Sequence, residues 1–465
     1  MSITLELILL LCYVFFVNCS QTRIVVTCDR NGFTCKTIGS KRLVTYQCGS
    51  NGQDILFQTW NFGEPSNTAW LEIKNCEKLE IDMSCNQYRR SFESLTIENV
   101  KNLRFTRIVS TVKNPTKIVI KNVKYIDVIP ENTFSIPHMV KYNGVASQHE
   151  LQEILFEDVS IGTIEGHAFH SLRGFKTFNW TNVNVTRLHA NAIKIHFNTT
   201  EKYQGSFTLM HSAIEISEYL SFQLYVKQAL FRNNKFVEIM PGGINGTIET
   251  FDFFSNIINT LQPGAISILS KTVNIMDNTF NYLKYGSLEK ISPGLLVDSH
   301  ISFGNLQFSY KFIKNKIIYV DAGSLNPDME AYNKVSTHFD FSSNSILCSC
   351  ENMGWLMSGV GHGYSTSSLQ HFYEIITDRN NSNVCSGISC MKIISDIKHL
   401  LKNDKCTPIE NFCHTTNPPP NNNRSKELVW LNDSESIISG CHYFKSNFMY
   451  IIAASLYSCL RQYIS

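Results

Sequence analysis

Three successive passages between Ala229 and Leu288 repeat at a step of 22 residues, and this constrains the fold more than any other feature of the chain. The first passage carries Ala229, Phe231, Asn234, Phe236, Ile239 and Ile244. The second carries Phe251, Phe253, Asn256, Ile258, Leu261 and Ile266, and the third Val273, Ile275, Asn278, Phe280, Leu283 and Leu288. Every slot is apolar except one, and that one is always asparagine, in a chain only 43% hydrophobic. A unit this short cannot bury its apolar face alone, so the pattern predicts a solenoid whose coils stack to make one core.

The spacing inside the unit says how each coil is built. Two apolar residues two apart put both side chains on one face of a short strand. An asparagine three residues further on can pair its amide with the backbone of neighbouring coils, whose polar groups would otherwise be buried unsatisfied. The remaining apolar slots turn the chain inward along a return side. With the endings "LQPGAI", "LKYGSL" and "IEGHAFHSL", this pattern resembles the leucine-rich-repeat family. The resemblance implies an α/β repeat fold, a curved parallel sheet of short strands closed by disulfide-tied caps at both ends.

The pattern can be followed in both directions. Earlier coils use Leu71, Ile73 and Cys76; Leu95, Ile97 and Val100; Ile118, Ile120 and Val123; Ile154, Phe156 and Val159; and Phe178, Trp180 and Val183. Valine in the asparagine slot forgoes the amide pairing, so these coils are expected to be less regular. A weak coil at Phe207, Leu209 and Ser212 leads into the regular three, and later coils use Tyr310, Phe312 and Asn315, then Phe339, Phe341 and Asn344. The slots from 76 to 344 make about eleven coils over residues 64–346. Surplus residues near 289–305 are expected to form a loop on the return side or at an edge.

The ends read as export machinery and caps. Residues 1–20 hold an apolar run, "LILLLCYVFF", followed by small residues, as in a secretory signal. Fifteen cysteines, clustered towards the two ends, point to an oxidising compartment. Residues 21–63, with Cys28, Cys35 and Cys48, are expected to form an N-terminal cap. At residues 347–413, "LCSCENMGWL" resembles the C-terminal cap of extracellular leucine-rich-repeat proteins. That resemblance implies that Cys348 and Cys350 bridge to later cysteines, with Cys385, Cys390, Cys406 and Cys413 as the candidates. Residues 414–465 begin with the polar run "HTTNPPPNNNR" and end in a hydrophobic segment of thirteen residues, short of the roughly 20 a bilayer span needs. That tail reads as a packed or free terminus, or as a lipid-anchor signal that would hold the protein at the cell surface. Sequons at Asn179, Asn184, Asn198, Asn245, Asn380, Asn423 and Asn432 mark candidate glycosylation sites.

Chemistry is harder to find. The balance of 41 basic and 39 acidic residues gives no polyanion-binding surface, so nucleic acid is not an expected partner. No His-Glu-x-x-His or Gly-x-Ser-x-Gly motif occurs. Cys348, Cys350, Cys385 and Cys390 have the wrong pairing for a zinc knuckle and are better read as disulfide partners, so no metal or cofactor is expected. The "GVGHGY" stretch lacks the strand and helix that would frame a phosphate loop. A parallel β-helix enzyme acting on polysaccharide would need stacked acidic residues. Asp252 and Asp277 occupy outward slots of adjacent coils but not one column.

The reading is therefore a secreted, non-enzymatic protein that binds an extracellular protein through outward strand residues. Arg232, Asp252, Phe254, Asn274, Met276, Asp277 and Ile313 are the candidates. Asn179 also falls at an outward slot, so a glycan there would place the partner C-terminal of its coil. The Asn-rich, Phe-rich style resembles secreted insect members of the leucine-rich-repeat family, which implies a developmental, hormone-staged role. The principal alternative is a structural matrix or cuticle component.

Overall fold

The computed structural model describes residues 32–49, 55–58, 68–82, 93–106, 115–134, 151–172, 175–195, 205–295, 306–321, 323–347, 373–386 and 392–394. Its strands join into one hydrogen-bonded network of 25, and nearly all pairings are parallel. The expected solenoid is present as a stack of coils, each rung pairing with the rung one coil away.

Three columns of strand run through the stack. The first holds the paired apolar slots and continues in register from Val44 through Leu71, Leu95, Ile118, Ile154, Phe178, Phe207, Ala229, Phe251, Val273 and Tyr310 to Phe339. The second follows the asparagine slot, for example Lys235–Ile239, Ile257–Leu261 and Thr279–Leu283. The third lies on the return side and runs from Phe169 through Ile193, Phe222 and Ile244 to Ile266. The return side is therefore strand as well, because parallel neighbours one rung away satisfy its backbone.

Every coil turns its first corner in the same way. The residue before each slot adopts the left-handed conformation: Asn75, Asn99, Asn122, Asp158, Asn182, His211, Asn233, Ser255, Asp277, Lys314 and Ser343 all have φ between 52° and 61°. A second left-handed residue recurs in the turn between the second and third columns, at Asn132, His167, Asn191, Leu220, Gly242, Gly264, Gly286 and Gly323. These turns ladder through their backbones, as where Gly242 N–H donates to Gly264 O at 2.7 Å and Gly264 N–H to Gly286 O at 2.9 Å.

The core is a continuous file of side chains inside the coils. Phe156 stacks on Trp180 at 5.8 Å, Phe178 meets Phe207 at 5.3 Å, Phe207 meets Phe231 at 5.3 Å, and Phe312 stacks on Phe341 at 4.7 Å. Such ring pairs add to the burial of their area. Among the described residues, the Trp180 indole N–H and the Tyr310 and Tyr332 hydroxyls are buried in the core without a hydrogen-bond partner. Burial pushes both tyrosine hydroxyls well above their ordinary range.

The early coils are more regular than their valine slots suggested. Ser94–Phe105 and Lys117–Ile129 are unbroken strands that carry both the first and second columns through the corner. The missing inward amide is replaced by an outer one, since Asn99 donates to Asn75 at 3.0 Å and Asn122 to Asn99 at 3.1 Å. Ahead of the first coil, Phe33–Ile38 and Lys41–Gln47 form an antiparallel hairpin, and Cys48 bonds to Cys76 in the first slot. Cys35 and Cys385 each take part in a disulfide of their own. Cys28, Cys348, Cys350, Cys390, Cys406 and Cys413 lie outside the described residues, as do the linker and hydrophobic tail.

The surplus in the ninth coil begins after a short third-column strand, Ile291–Pro293, which pairs with Ile268 to Ser270. In the following coil a four-residue helix, Met329–Tyr332, stands at this level, and its first turn is closed by the Asp328 side chain. The inward ladder also continues one rung past Asn344. Asn383 accepts from the Asn344 N–H at 2.9 Å, and Val384–Ser386 pairs in parallel with Ser345–Leu347.

Candidate interaction surface

The outward face of the first column changes character along the stack. Parallel pairing aligns Lys74, Glu98, Lys121, Glu157, Thr181, Met210, Arg232, Phe254, Met276 and Ile313 in one file. Its N-terminal half alternates in charge and neutralises itself. Lys74 reaches Glu72 and Glu98 at 3.2 Å each, and Lys121 reaches Glu157 at 2.6 Å. The Glu72 carboxylate, reinforced by Glu98, holds the Lys74 ammonium above its usual range against the opposing effect of burial. Exposed pairs of this kind add little stability.

The C-terminal half of the file carries the sequence candidates. Arg232 is exposed and begins the run, while Phe254, Met276 and Ile313 follow on adjacent strands and are each partly exposed. Because the sheet fixes both backbone and register, binding at this file would order side chains and not backbone. Asp252 and Asn274 stand in the neighbouring file, with Leu230 before them and Lys311 after.

Asp252 has a structural role in that file. It is 8% exposed, its carboxylate accepts from the Gln228 amide at 3.0 Å and from the Asn274 amide at 2.8 Å, and both donors lie on flanking strands. Asp277 is exposed at the left-handed corner, in line with Ser255 and Lys314, so the two aspartates occupy separate files. Among the described residues, no group of three or more His, Cys, Asp or Glu could hold a metal ion.

The sequons fall on different faces. Asn179 lies half-buried on the outward first column between Leu155 and Thr208, three coils before Phe254. Asn184 is exposed on the second column, Asn245 is on the third, and Asn380 is exposed in the short turn Arg379–Asn381. Asn198, Asn423 and Asn432 lie outside the described residues.

One cluster had no signal in the sequence. Glu218 gathers Arg187 at 2.7 Å, the His189 ring at 3.2 Å and the Ala190 N–H at 3.0 Å, tying its turn to the preceding coil. Burial pushes the Glu218 carboxyl up, but Arg187, the Ala190 N–H and His189 together outweigh it and hold the group below its ordinary range. These partners are separated by about 30 positions in sequence and meet only because coils stack.

Comparison with known proteins adds no name to this geometry. No family model, no curated protein and no solved structure matches the chain. Among the described residues, no helix is long and apolar enough to cross a membrane.

Proposed function

We propose that this chain is a secreted, glycosylated leucine-rich-repeat protein without a catalytic site, and that it recognises an extracellular protein through the C-terminal half of its outward first column. The observation that carries the reading is the file of exposed Arg232 and partly exposed Phe254, Met276 and Ile313 on four successive strands of a fixed sheet. Contiguous apolar side chains beside scattered charges are the composition of a partner surface. The inward asparagine file and the 22-residue step support the leucine-rich-repeat assignment, and the apolar leader, the sequons and the Cys48–Cys76 bond support export. The Asn-rich, Phe-rich likeness to secreted insect members of that family supports a developmental role.

Crosslinking of the tagged, secreted chain followed by mass spectrometry tests this. A discrete extracellular protein should be captured and then lost with Phe254→Asp and Met276→Asp, both of which keep the inward core intact. Recovery of self-contacts or polymeric matrix alone would favour a structural component. Loss of the partner with Asn179→Gln, with Phe254→Asp having no effect, would move the surface to the other half of the stack.

A further inference from the structure

The turn between the second and third columns carries a second surface, built on a different principle. Tyr219 and Tyr285 occupy the same position in their turns, two residues into "EYLS" and "KYGS", with Pro241 and Pro263 at that position in the coils between. They are among the most exposed large side chains of the described residues, at 59% and 64%. Each ring is braced by the left-handed glycine of the next coil. A side chain added at Gly242 would meet the Tyr219 ring at 3.5 Å, and one added at Gly323 would meet the Tyr285 ring at 3.1 Å. One ring edge or face is thus held against backbone that only glycine leaves bare, and the rest of the ring is open to water.

The two glycines between them are covered by polar chains. The Lys290 side chain lies over Gly264 and the Glu289 carboxylate over Gly286. Beside the second platform, Tyr282 donates to Asp321 at 3.2 Å, and the Asp321 carboxylate also accepts from the Tyr285 N–H at 3.2 Å. The order along the edge is therefore aromatic, ammonium, carboxylate, aromatic, over three rungs or roughly 14 Å at the spacing of parallel strands.

We propose that this edge is a binding strip for a linear, uncharged polysaccharide, with Tyr219 and Tyr285 as its stacking platforms. A pyranose ring offers an apolar C–H face and a rim of hydroxyls, and the strip offers braced aromatic surface with donors and acceptors between. Repetition from rung to rung along the stack suits a polymer of identical units. A proline-rich peptide would need a groove between upright rings, whereas Pro241 and Pro263 raise the ground between these two. The strip is separate from the protein-binding file and does not depend on it.

The test is depletion of the full-length secreted protein by insoluble cellulose, chitin and β-1,3-glucan, followed by calorimetry with the hexasaccharide of whichever polymer retains it. Retention by at least one is expected, with competition by its hexasaccharide. The double variant Tyr219→Ala and Tyr285→Ala should weaken binding about tenfold or more, as loss of two aromatic anchors does. Tyr219→Phe with Tyr285→Phe, which keeps the rings, should stay within about twofold. Should the alanine pair fail to be secreted, saturation transfer from aromatic protons to sugar ring protons in the unaltered protein replaces it, and its absence overturns the proposal. Retention by none of the three polymers, undiminished binding by the alanine pair, or displacement of the hexasaccharide by a polyproline peptide would also overturn it.

Discussion

From Leu71 to Leu188 each coil keeps an asparagine or aspartate outside the first corner, whereas from Ala229 to Ile346 an asparagine stands inside it. In the first region the left-handed corner residue is Asn or Asp and the next residue is buried cysteine or valine. The chain passes the corner as one strand, and side-chain amides pair in the solvent-facing row. In the second region the strand stops at the corner and an inward asparagine spans the gap. Asn256 accepts from the Asn234 N–H at 2.9 Å and from its amide at 3.0 Å, and donates to Phe231 O at 3.0 Å and to Asn278 at 3.1 Å. Ser212 marks the change: its hydroxyl accepts from the Val183 N–H at 3.0 Å, and its own N–H donates to Asn234 at 3.0 Å. One corner geometry is thus held by two devices, one tolerating left-handed backbone at the surface and one satisfying interrupted backbone in the core.

The two devices should differ most in what their removal costs. Asn256→Val takes the acceptor from the Asn234 N–H and the donor from Phe231 O in a dry site. It also strips one bond each from the Asn234 amide, which keeps Leu209 O, and the Asn278 oxygen, which keeps the backbone N–H of residue 256. The expected loss is about 3–5 kcal/mol, read as a fall in the urea midpoint and as accelerated hydrogen exchange centred on residues 231–258. A loss below about 1 kcal/mol would mean that water enters the file and the contrast between the regions is cosmetic. The converse exchange, Val100→Asn, places an amide between Cys76 and Val123, neither of which offers one. It should cost about 2–3 kcal/mol, and a neutral outcome by the same melt would show that a single strand can carry either device.

Removing the outer amide should be milder. Asn99→Ala keeps the strand but asks a residue with a Cβ and no local hydrogen bond to hold φ near 56°. It also removes an exposed bond on each side. About 1–2 kcal/mol is expected from the conformational term, with little added by the solvated amides. Asn99→Gly, assayed in the same way, should recover most of that loss, and failure to do so would move the weight from backbone conformation to the outer ladder.

Much of this architecture was legible in the sequence, and what was not has physical reasons. The 22-residue step exposed the inward file because buried residues answer to hydropathy, so Phe231, Asn256 and Ile275 announced their positions. The corner residues Asn75, Asn99 and Asn122 did not, because a left-handed φ is a backbone demand that Asp277, Lys314 and Ser343 also meet with different side chains. For that reason valine at the next slot points to lower regularity in sequence, whereas the strands through it are unbroken. Asn383 was hidden by its 39-residue distance from Asn344, over which no apolar pair marks the rung, and the Cys48–Cys76 bond by the placement of Cys76 in a core slot. The outward file of Phe254, Met276 and Ile313 followed from strand alternation. Glu218 and the glycine-braced tyrosines depend on contacts between coils that no local pattern encodes.

The smallest effect is also the only gain. Lys314 holds φ at 57° on the surface of the second region, and its N–H donates to Ser342 O, a bond any residue would keep. Lys314→Asn should relieve left-handed strain and set an amide in line with the Asp277 corner, as Asn182 is set beside Asp158, to which it donates. A rise of about 0.5–1 kcal/mol is expected, most of it conformational. Lys314→Ala loses the charge without gaining the amide and should change stability by less than about 0.5 kcal/mol. If both variants gain equally, charge crowding and not backbone strain governs the corner, and the asparagines outside the first region are there for their ladder. If only asparagine gains, the outer device works in coils that already carry the inner one, and the two regions differ because the inner file made the outer one dispensable.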